Sequence, residues 1–329
     1  MSETGLALEV QGLQVAYRAR QGWTSVVRGV DASLRRGRVL ALLGESGSGK
    51  SVTLRTIAGL AGREGARLAG SVRVLGRDVL TMSPRELLDL RGRDIGFIFQ
   101  EPMTALDPVF PVGEQIAQTV VRHRGATWRE GWARARELFD LVQIPSAERR
   151  LRAYPSELSG GLRQRAMIAM ALSCDPPLLL ADEPTTALDA TVQIQVLLLL
   201  RDLQRRLGIA VVFVTHDLGV AAEIADEVAV MYAGRIVEVG PADAVLLRPA
   251  HPYTQALLGC VVRGGYRDGM LTELSGAPPD LATLPTGCSF APRCAVAAEA
   301  CGRTDPGLRA TSPGHGARCI LVSSEGEHP

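Results

Sequence analysis

The chain has 329 residues, enough for about two domains, with 46% hydrophobic and 22% charged residues, a globular balance with ample core material. A formal net charge of +1 argues against a strongly basic nucleic-acid surface. No run approaches the ~18 consecutive apolar residues of a membrane span. Met1–Val10 lacks the basic start and apolar stretch of a signal peptide, so a cytosolic chain is expected, one that reaches a membrane only through partners.

In chain order, Val39–Leu43 reads as a short buried strand, Gly44–Ser51 as a glycine-rich loop and Val52–Leu60 as a helix. Ser71–Val74 and Asp94–Phe99 suggest further strands, after which Pro102, Pro108 and Pro111 interrupt regular structure. Val112–Leu172 is mostly helical in pattern, with breaks near Pro145 and Pro155. Strand signals return at Leu178–Ala181, Ile209–Thr215 and Val228–Tyr232, separated by helical stretches such as Thr191–Leu207. This alternation predicts an α/β fold with a parallel sheet covered on both faces and a helical block inserted into it. After about Pro249, Pro, Gly and Cys become frequent and periodicity fades, and Ser323–Pro329 reads as a frayed tail.

Gly44-Glu45-Ser46-Gly47-Ser48-Gly49-Lys50-Ser51 fits G-x-x-x-x-G-K-[ST] between a strand and a helix, the context of a phosphate loop. The glycines let backbone amides converge on phosphate oxygens, and the helix start adds its positive dipole end. Lys50 is expected on the β- and γ-phosphates and Ser51 on Mg²⁺. Lys50 is also the only lysine among the 36 Lys and Arg residues. An arginine-rich composition explains the others; a compact ammonium fits inside a phosphate loop where a planar guanidinium does not.

Leu178–Ala181 runs into Asp182 and Glu183. Asp182 is expected to hold Mg²⁺ and Glu183 to polarise the attacking water as general base. Acids are common at strand ends, so this signal gains its weight from the phosphate loop. Ser159-Gly160-Gly161 opens a second helix, with Ser159 as a reasonable N-cap and the glycines exposing the first amides. Two phosphate sites far apart in one chain suggest a nucleotide sandwiched between two subunits.

The phosphate loop, the Ser-Gly-Gly helix start and the Asp-Glu strand end, in this order, resemble an ABC-type ATP-binding subunit. The resemblance implies a P-loop NTPase (RecA-like) core with an ABC-type β-subdomain and an inserted helical subdomain at about 101–172. It implies adenine stacking by Tyr17, a Mg²⁺- and water-sensing role for Gln100, a dimer-crossing segment at Ala187-Leu188-Asp189 and a γ-phosphate switch at His216. Leu162 departs from the glutamine common in the family and points to a subgroup. Phe99–Pro108, Arg163–Leu172, Pro184–Asp189 and His251-Pro252-Tyr253-Thr254 are similar to the oligopeptide/dipeptide importers, specifically their "D"-type ATPase, with nickel importers sharing the subgroup. The implied partners are a second, paralogous ATPase subunit, two transmembrane permease subunits and an extracytoplasmic solute-binding protein, with no nucleic acid. The implied location is the cytoplasmic face of the cell membrane, as a peripheral subunit. The cassette is expected over 1–250 and a C-terminal extension over 251–329. Gln100–Pro108 is expected near the membrane subunits, although Met103 and Leu106 also suit a core. A soluble, non-transport ABC ATPase is the rival; such chains usually carry two cassettes or a long coiled coil, and neither is present here.

Six cysteines remain. Cys174 suits a core position, and Cys260 has no pattern around it. Cys288, Cys294, Cys301 and Cys319 cluster late. Disulfides are disfavoured in a cytosolic protein, and the C-x₂₋₄-C spacing usual in structural zinc sites is absent. Four thiolates suit an iron–sulfur cluster, zinc or no metal. The resemblance of Gly287–Cys294 to peptide-importer extensions, some of which carry a 4Fe–4S cluster, favours the first, in a structural role.

Overall fold

The computed structural model describes residues 5–19, 22–62, 65–186, 188–262, 274 and 276–322. Ala187 and the Ser323–Pro329 tail lie outside the described residues. The first five strands are β1 (Leu6–Ala19), β2 (Gly22–Arg35), β3 (Val39–Leu43), β4 (Ala66–Val74) and β5 (Arg77–Asp78). Four of them form an antiparallel sheet in the order β2-β1-β4-β5. Register shifts at four places along the β1–β2 pair break the two-residue alternation that would announce these strands in sequence.

β3 is central to a second sheet. It lies parallel between β8 (Ala210–Thr215) and β9 (Glu227–Tyr232), and β7 (Leu178–Asp182) and β6 (Ile95–Ile98) continue in parallel beyond β8. The expectation of a parallel sheet needs one correction: β10 (Arg235–Pro241), β12 (His315–Ala317) and β11 (Arg309–Ser312) extend the β9 edge in antiparallel fashion. Only two residues, Ala233 and Gly234, separate β9 from β10, too few for the crossover that a parallel pair requires, so the chain turns back as a hairpin.

The parallel strands are apolar along most of their length because both faces are buried. Successive side chains point to opposite faces. Leu178, Leu180, Val212 and Val214 therefore join one core with the antiparallel sheet. Leu179, Ala181, Val211 and Phe213 join the other, shared with the helical block.

Helix α1 (Lys50–Ile57) follows β3 after the Gly44–Gly49 loop, starting two residues before the expected Val52 and ending three before Leu60. α2 (Pro84–Arg93) starts with a capping box in which Ser83 and Glu86 satisfy each other's amides. The inserted block comprises α3 (Pro102–Ala105), α4 (Val112–Arg124), α5 (Trp128–Leu141), α6 (Ala147–Arg150) and α7 (Gly160–Ala171). Gly125 ends α4 in the left-handed conformation, and Thr127 with Glu130 opens α5 through a second capping box. The breaks expected at Pro145 and Pro155 are present. α8 (Ala190–Leu207) and α9 (Leu218–Ile224) flank β8, and α10 (Ala242–Leu247) and α11 (Pro252–Val262) follow β10.

Residues 276–322 contain little regular structure yet are tied firmly to the core. The Glu238 carboxylate, fully buried on β10, accepts from the amides of Ala250 (2.7 Å) and His251 (2.9 Å) and meets His315 Nε2 at 2.7 Å. A third apolar cluster joins Leu43, Val230, Tyr232 and Tyr253 to Phe290. Cys174 is buried in the core, as expected, and burial pushes its thiol up. No helix among the described residues is long and apolar enough to cross a membrane.

Candidate functional site

The parallel strands end along one edge of the sheet, and their following loops form a cleft of about 600 Å³. Such a crevice at the carboxyl ends of parallel strands is where α/β folds bind ligands. Its floor is the Gly44–Ser51 loop. Gly44, Gly47 and Gly49 all have positive φ (149°, 78° and 103°). A Cβ on Gly44 would stand 2.3 Å from the Met231 carbonyl oxygen, and one on Gly49 2.8 Å from that of Val26, so only glycine fits this close backbone approach.

Lys50 is 5% exposed and its Nζ donates to the carbonyls of Gly44 (2.7 Å) and Glu45 (2.9 Å). Burial pulls its ammonium below the usual lysine range, against the opposing effect of Glu183, Asp182 and Glu45. Ser51 Oγ donates to Asp182 Oδ1 at 2.8 Å, and Arg55 lies 3.9 Å from the other Asp182 oxygen. Burial pushes the Asp182 carboxyl up, with the Ser51 hydrogen bond and Arg55 opposing. A divalent cation between Ser51 and Asp182 would favour the ionised form of that buried carboxyl. The Ser48 hydroxyl is buried without a hydrogen-bond partner, as suits a loop whose polar groups face a phosphate.

Glu183 follows β7 with φ 46°, a left-handed value uncommon outside glycine. Its amide is held by the Val214 carbonyl (3.0 Å) on β8. One carboxylate oxygen, Oε2, receives Thr186 Oγ1 at 3.0 Å and lies 3.1 Å from His216 Nδ1. The strained turn aims Glu183 into the cleft beside His216 and Gln100, which both line it.

Not every expected residue is in the cleft. Tyr17 packs against the core of the antiparallel sheet and does not line the cleft. Ser159, Gly160 and Gly161 lie at the start of α7, outside it. Ser159 occupies the N-cap position but its side chain makes no cap hydrogen bond, so the expected capping role is corrected; the hydroxyl is exposed. A Cβ on Gly161 would meet Val192 Cγ1 at 2.7 Å, so this glycine also lets α7 approach α8 closely. Leu162 packs on the helical-block core. Asp189 caps α8, its Oδ1 accepting from the Val192 amide at 3.0 Å.

Cys288, Cys294, Cys301 and Cys319 line one small, nearly filled pocket of about 20 Å³ together with His251 and Phe290. All four are free thiols. Burial raises the Cys288 and Cys294 thiols and pulls His251 down to about 4. The expected metal centre finds no support in this geometry: among the described residues no three His, Cys, Asp or Glu side chains are grouped so as to hold a metal ion.

Two residues against the phosphate loop escape sequence reasoning. Tyr253 of α11 accepts the Glu45 amide, and Arg293 grips the Glu45 carboxylate. Their segments stand out in the sequence only as subgroup markers, and nothing local links them to a loop more than 200 residues away.

Residues 27–186 match the family model described as ABC transporter, and residues 237–301 match that of the oligopeptide/dipeptide transporter C-terminal region. The chain is 49% identical to a putative peptide import ATP-binding protein of Brucella melitensis, covering 95% of this chain and 96% of the relative. It is 46% identical to the oligopeptide transport ATP-binding protein OppD of Salmonella typhimurium (97% and 94% covered) and 43% identical to the dipeptide transport ATP-binding protein DppD of Bacillus subtilis (98% and 96%). Among solved structures it resembles a dimeric ATP-binding cassette in a post-hydrolysis state bound to ADP and Pi, with TM-score 0.64 and 28% identity over 71% of this chain and 98% of that one. A cassette of a Clostridium perfringens ABC transporter complex gives TM-score 0.64 and 27% identity over 74% and 92%.

Proposed function

The chain belongs to the ABC transporter family, in the group that carries the oligopeptide/dipeptide transporter C-terminal region, and from that premise we propose that its cleft is one half of a composite ATP site. It is the ATP-hydrolysing subunit that powers peptide import. The observation that carries the proposal is a division: Lys50, Ser51, Glu183, His216 and Gln100 line one cleft, while Ser159–Gly161 lie outside it on the same chain. A second ATPase subunit, a paralogue in our reading, supplies its Ser-Gly-Gly helix start to this cleft and receives this chain's in return. The dimeric form of the similar ADP-bound cassette supports that arrangement.

When ATP binds, Lys50 exchanges the Gly44 and Glu45 carbonyls for β- and γ-phosphate oxygens. Ser51, Asp182 and Gln100 would hold Mg²⁺, whose charge would offset that of the phosphates. Glu183 takes a proton from the attacking water as its oxygen bonds to the γ-phosphorus and the bond to the ADP oxygen breaks. His216, beside Glu183, contacts the γ-phosphate and senses its departure. Tyr17 bears on the adenine edge once nucleotide is present.

The cassette comprises residues 1–250 with its helical subdomain at 101–172, and the extension begins at 251, just before α11. The extension nonetheless completes the cassette's own sheet through β12. Two permease subunits and an extracytoplasmic solute-binding protein complete the transporter, with this chain on the cytoplasmic face of the membrane. The permease contact is the loop around α3: Leu106 anchors it in the core while Met103, Val109 and Phe110 are exposed.

The four-thiol pocket is proposed to hold a 4Fe–4S cluster. What supports it is that Cys288, Cys294, Cys301 and Cys319 line one pocket, four thiolates being the usual ligand set of such a cluster. Anaerobically purified protein should then contain iron, labile sulfide and broad visible absorbance, and lose them in Cys288→Ser; protein without iron ends the idea. The main reading is tested by ATP turnover of the full chain and Glu183→Gln. Equal rates would remove Glu183 as the base.

A further inference from the structure

Glu45, the residue after the first glycine of the phosphate loop, has every polar atom engaged. Its carboxylate receives both ends of the Arg293 guanidinium, Nη1 to Oε2 at 2.7 Å and Nη2 to Oε1 at 3.0 Å. Its amide donates to the Tyr253 hydroxyl at 3.0 Å. Its carbonyl accepts from Lys50 Nζ (2.9 Å) and the Ser48 amide (3.2 Å). Two of these partners belong to the loop itself. The other two come from beyond the cassette, and both are buried: the Arg293 side chain is 6% exposed and Tyr253 0%.

The supports are rigid. Tyr253 packs against Tyr232 and Phe290 with ring centroids 4.6 and 5.3 Å apart. Arg293 stands near the Tyr232 ring face, 5.8 Å from its centroid. It precedes Cys294, so one short segment serves both the thiol pocket and the phosphate loop. A bidentate Arg–carboxylate pair fixes orientation as well as distance, and the Glu45 bonds raise the Arg293 guanidinium further.

The electrostatics sharpen the point. Glu45 lines the cleft that is to receive a polyanion, and an unneutralised carboxylate there opposes phosphate binding. Arg293 cancels that charge without entering the cleft, where it does not line the wall.

We propose that Arg293, assisted by Tyr253, is a positioning residue for nucleotide binding: through Glu45 it fixes the entrance of the phosphate loop and cancels a carboxylate that would otherwise repel the phosphates. The C-terminal extension is on this view part of the ATP site. The inference rests on the reading of Gly44–Ser51 as the ATP loop.

The test is Mg-ATP titration calorimetry on the full-length chain in a Glu183→Gln background, with KM and kcat measured in the hydrolysing chain. Arg293→Gln is expected to raise Kd and KM about tenfold while kcat at saturating ATP stays within about twofold, because a buried partner is lost and Glu45 is left uncompensated. Arg293→Lys should fall between, having the charge without the fork. The double variant Glu45→Gln/Arg293→Gln should recover most of the affinity, to within about threefold of the parent, because no uncompensated charge remains. Tyr253→Phe, which keeps the ring packing and loses one acceptor, should raise Kd about threefold. Raised salt should shrink the Arg293→Gln defect. Unchanged Kd and KM in Arg293→Gln would overturn the proposal. So would a double variant no better than Arg293→Gln, or a fall in kcat with KM unmoved, both of which mark a merely structural role. A parent chain that does not bind Mg-ATP would instead sink the nucleotide-site reading; parent binding with unaffected variants sinks only the role of Arg293.

Discussion

Two concave sites of the molecule are built on opposite principles. The cleft at the strand ends is made by backbone: three glycines at positive φ, strand termini that deliver Asp182 and Glu183, and a loop whose walls admit no Cβ at Gly44 or Gly49. The thiol pocket is made by side chains hung on irregular chain and held by the apolar packing of Phe290 and by Glu238. The first advertises itself locally in the sequence, because backbone geometry demands particular residues at fixed spacing. The second depends on partners 77 to 248 residues away, as in Glu238 with His315 or Glu45 with Arg293.

The sharpest way to break this comparison is Glu183→Gln. ATP turnover should fall at least about 100-fold with ATP binding retained, read by phosphate release and calorimetry. A change confined to the thiol pocket, such as Cys319→Ser, should leave turnover within about threefold unless the pocket also sets the phosphate loop.

An intermediate effect is expected from pH. His251 is buried and its folded value, about 4, lies below the usual 6.5. The unfolded chain therefore binds the extra proton between those values. The stabilisation is complete above about pH 6.5, is lost progressively as pH falls towards 4, and amounts to about 3 kcal/mol at most. Chemical denaturation at pH 7 and pH 4.5 should show the loss, and His251→Gln should flatten it. An equal slope in that variant would reassign the effect to other groups.

The smallest effect separates the cleft from its scaffold. Asp189→Ala removes the α8 cap seen between Asp189 Oδ1 and the Val192 amide. It should cost about 1 kcal/mol of stability, measured by thermal or denaturant unfolding. A drop in ATP turnover well beyond that destabilisation would give Asp189 a second role, across the interface with the other ATPase.

Much of this was legible from residues alone. Val39–Leu43 is a strand at the bounds its apolar run implies, and the strand before Asp182 and the helix ending at Leu207 follow their patterns closely. Strong periodicity and a rigid motif fix such elements locally. β1 and β2 were not legible, because bulges such as that between Val10 and Leu13 reset the alternation. β11 and β12 were not either: four and three residues long, they owe their existence to pairing with each other and with β10 rather than to propensity. Ser159 was half legible. The sequence places it at a helix start, but its hydroxyl makes no cap bond, a choice no local rule dictates.

Lys50, finally, makes the chain chemically addressable. With one lysine in 329 residues, an amine-selective reagent has a single side-chain target, apart from the chain's own amino terminus. That target is 5% exposed and has its basicity lowered by burial, which enlarges its reactive neutral fraction at moderate pH. Labelling should be slow and should stop when nucleotide occupies the cleft. The modified fraction, read by intact mass, then counts empty sites directly, with no engineered probe in the protein.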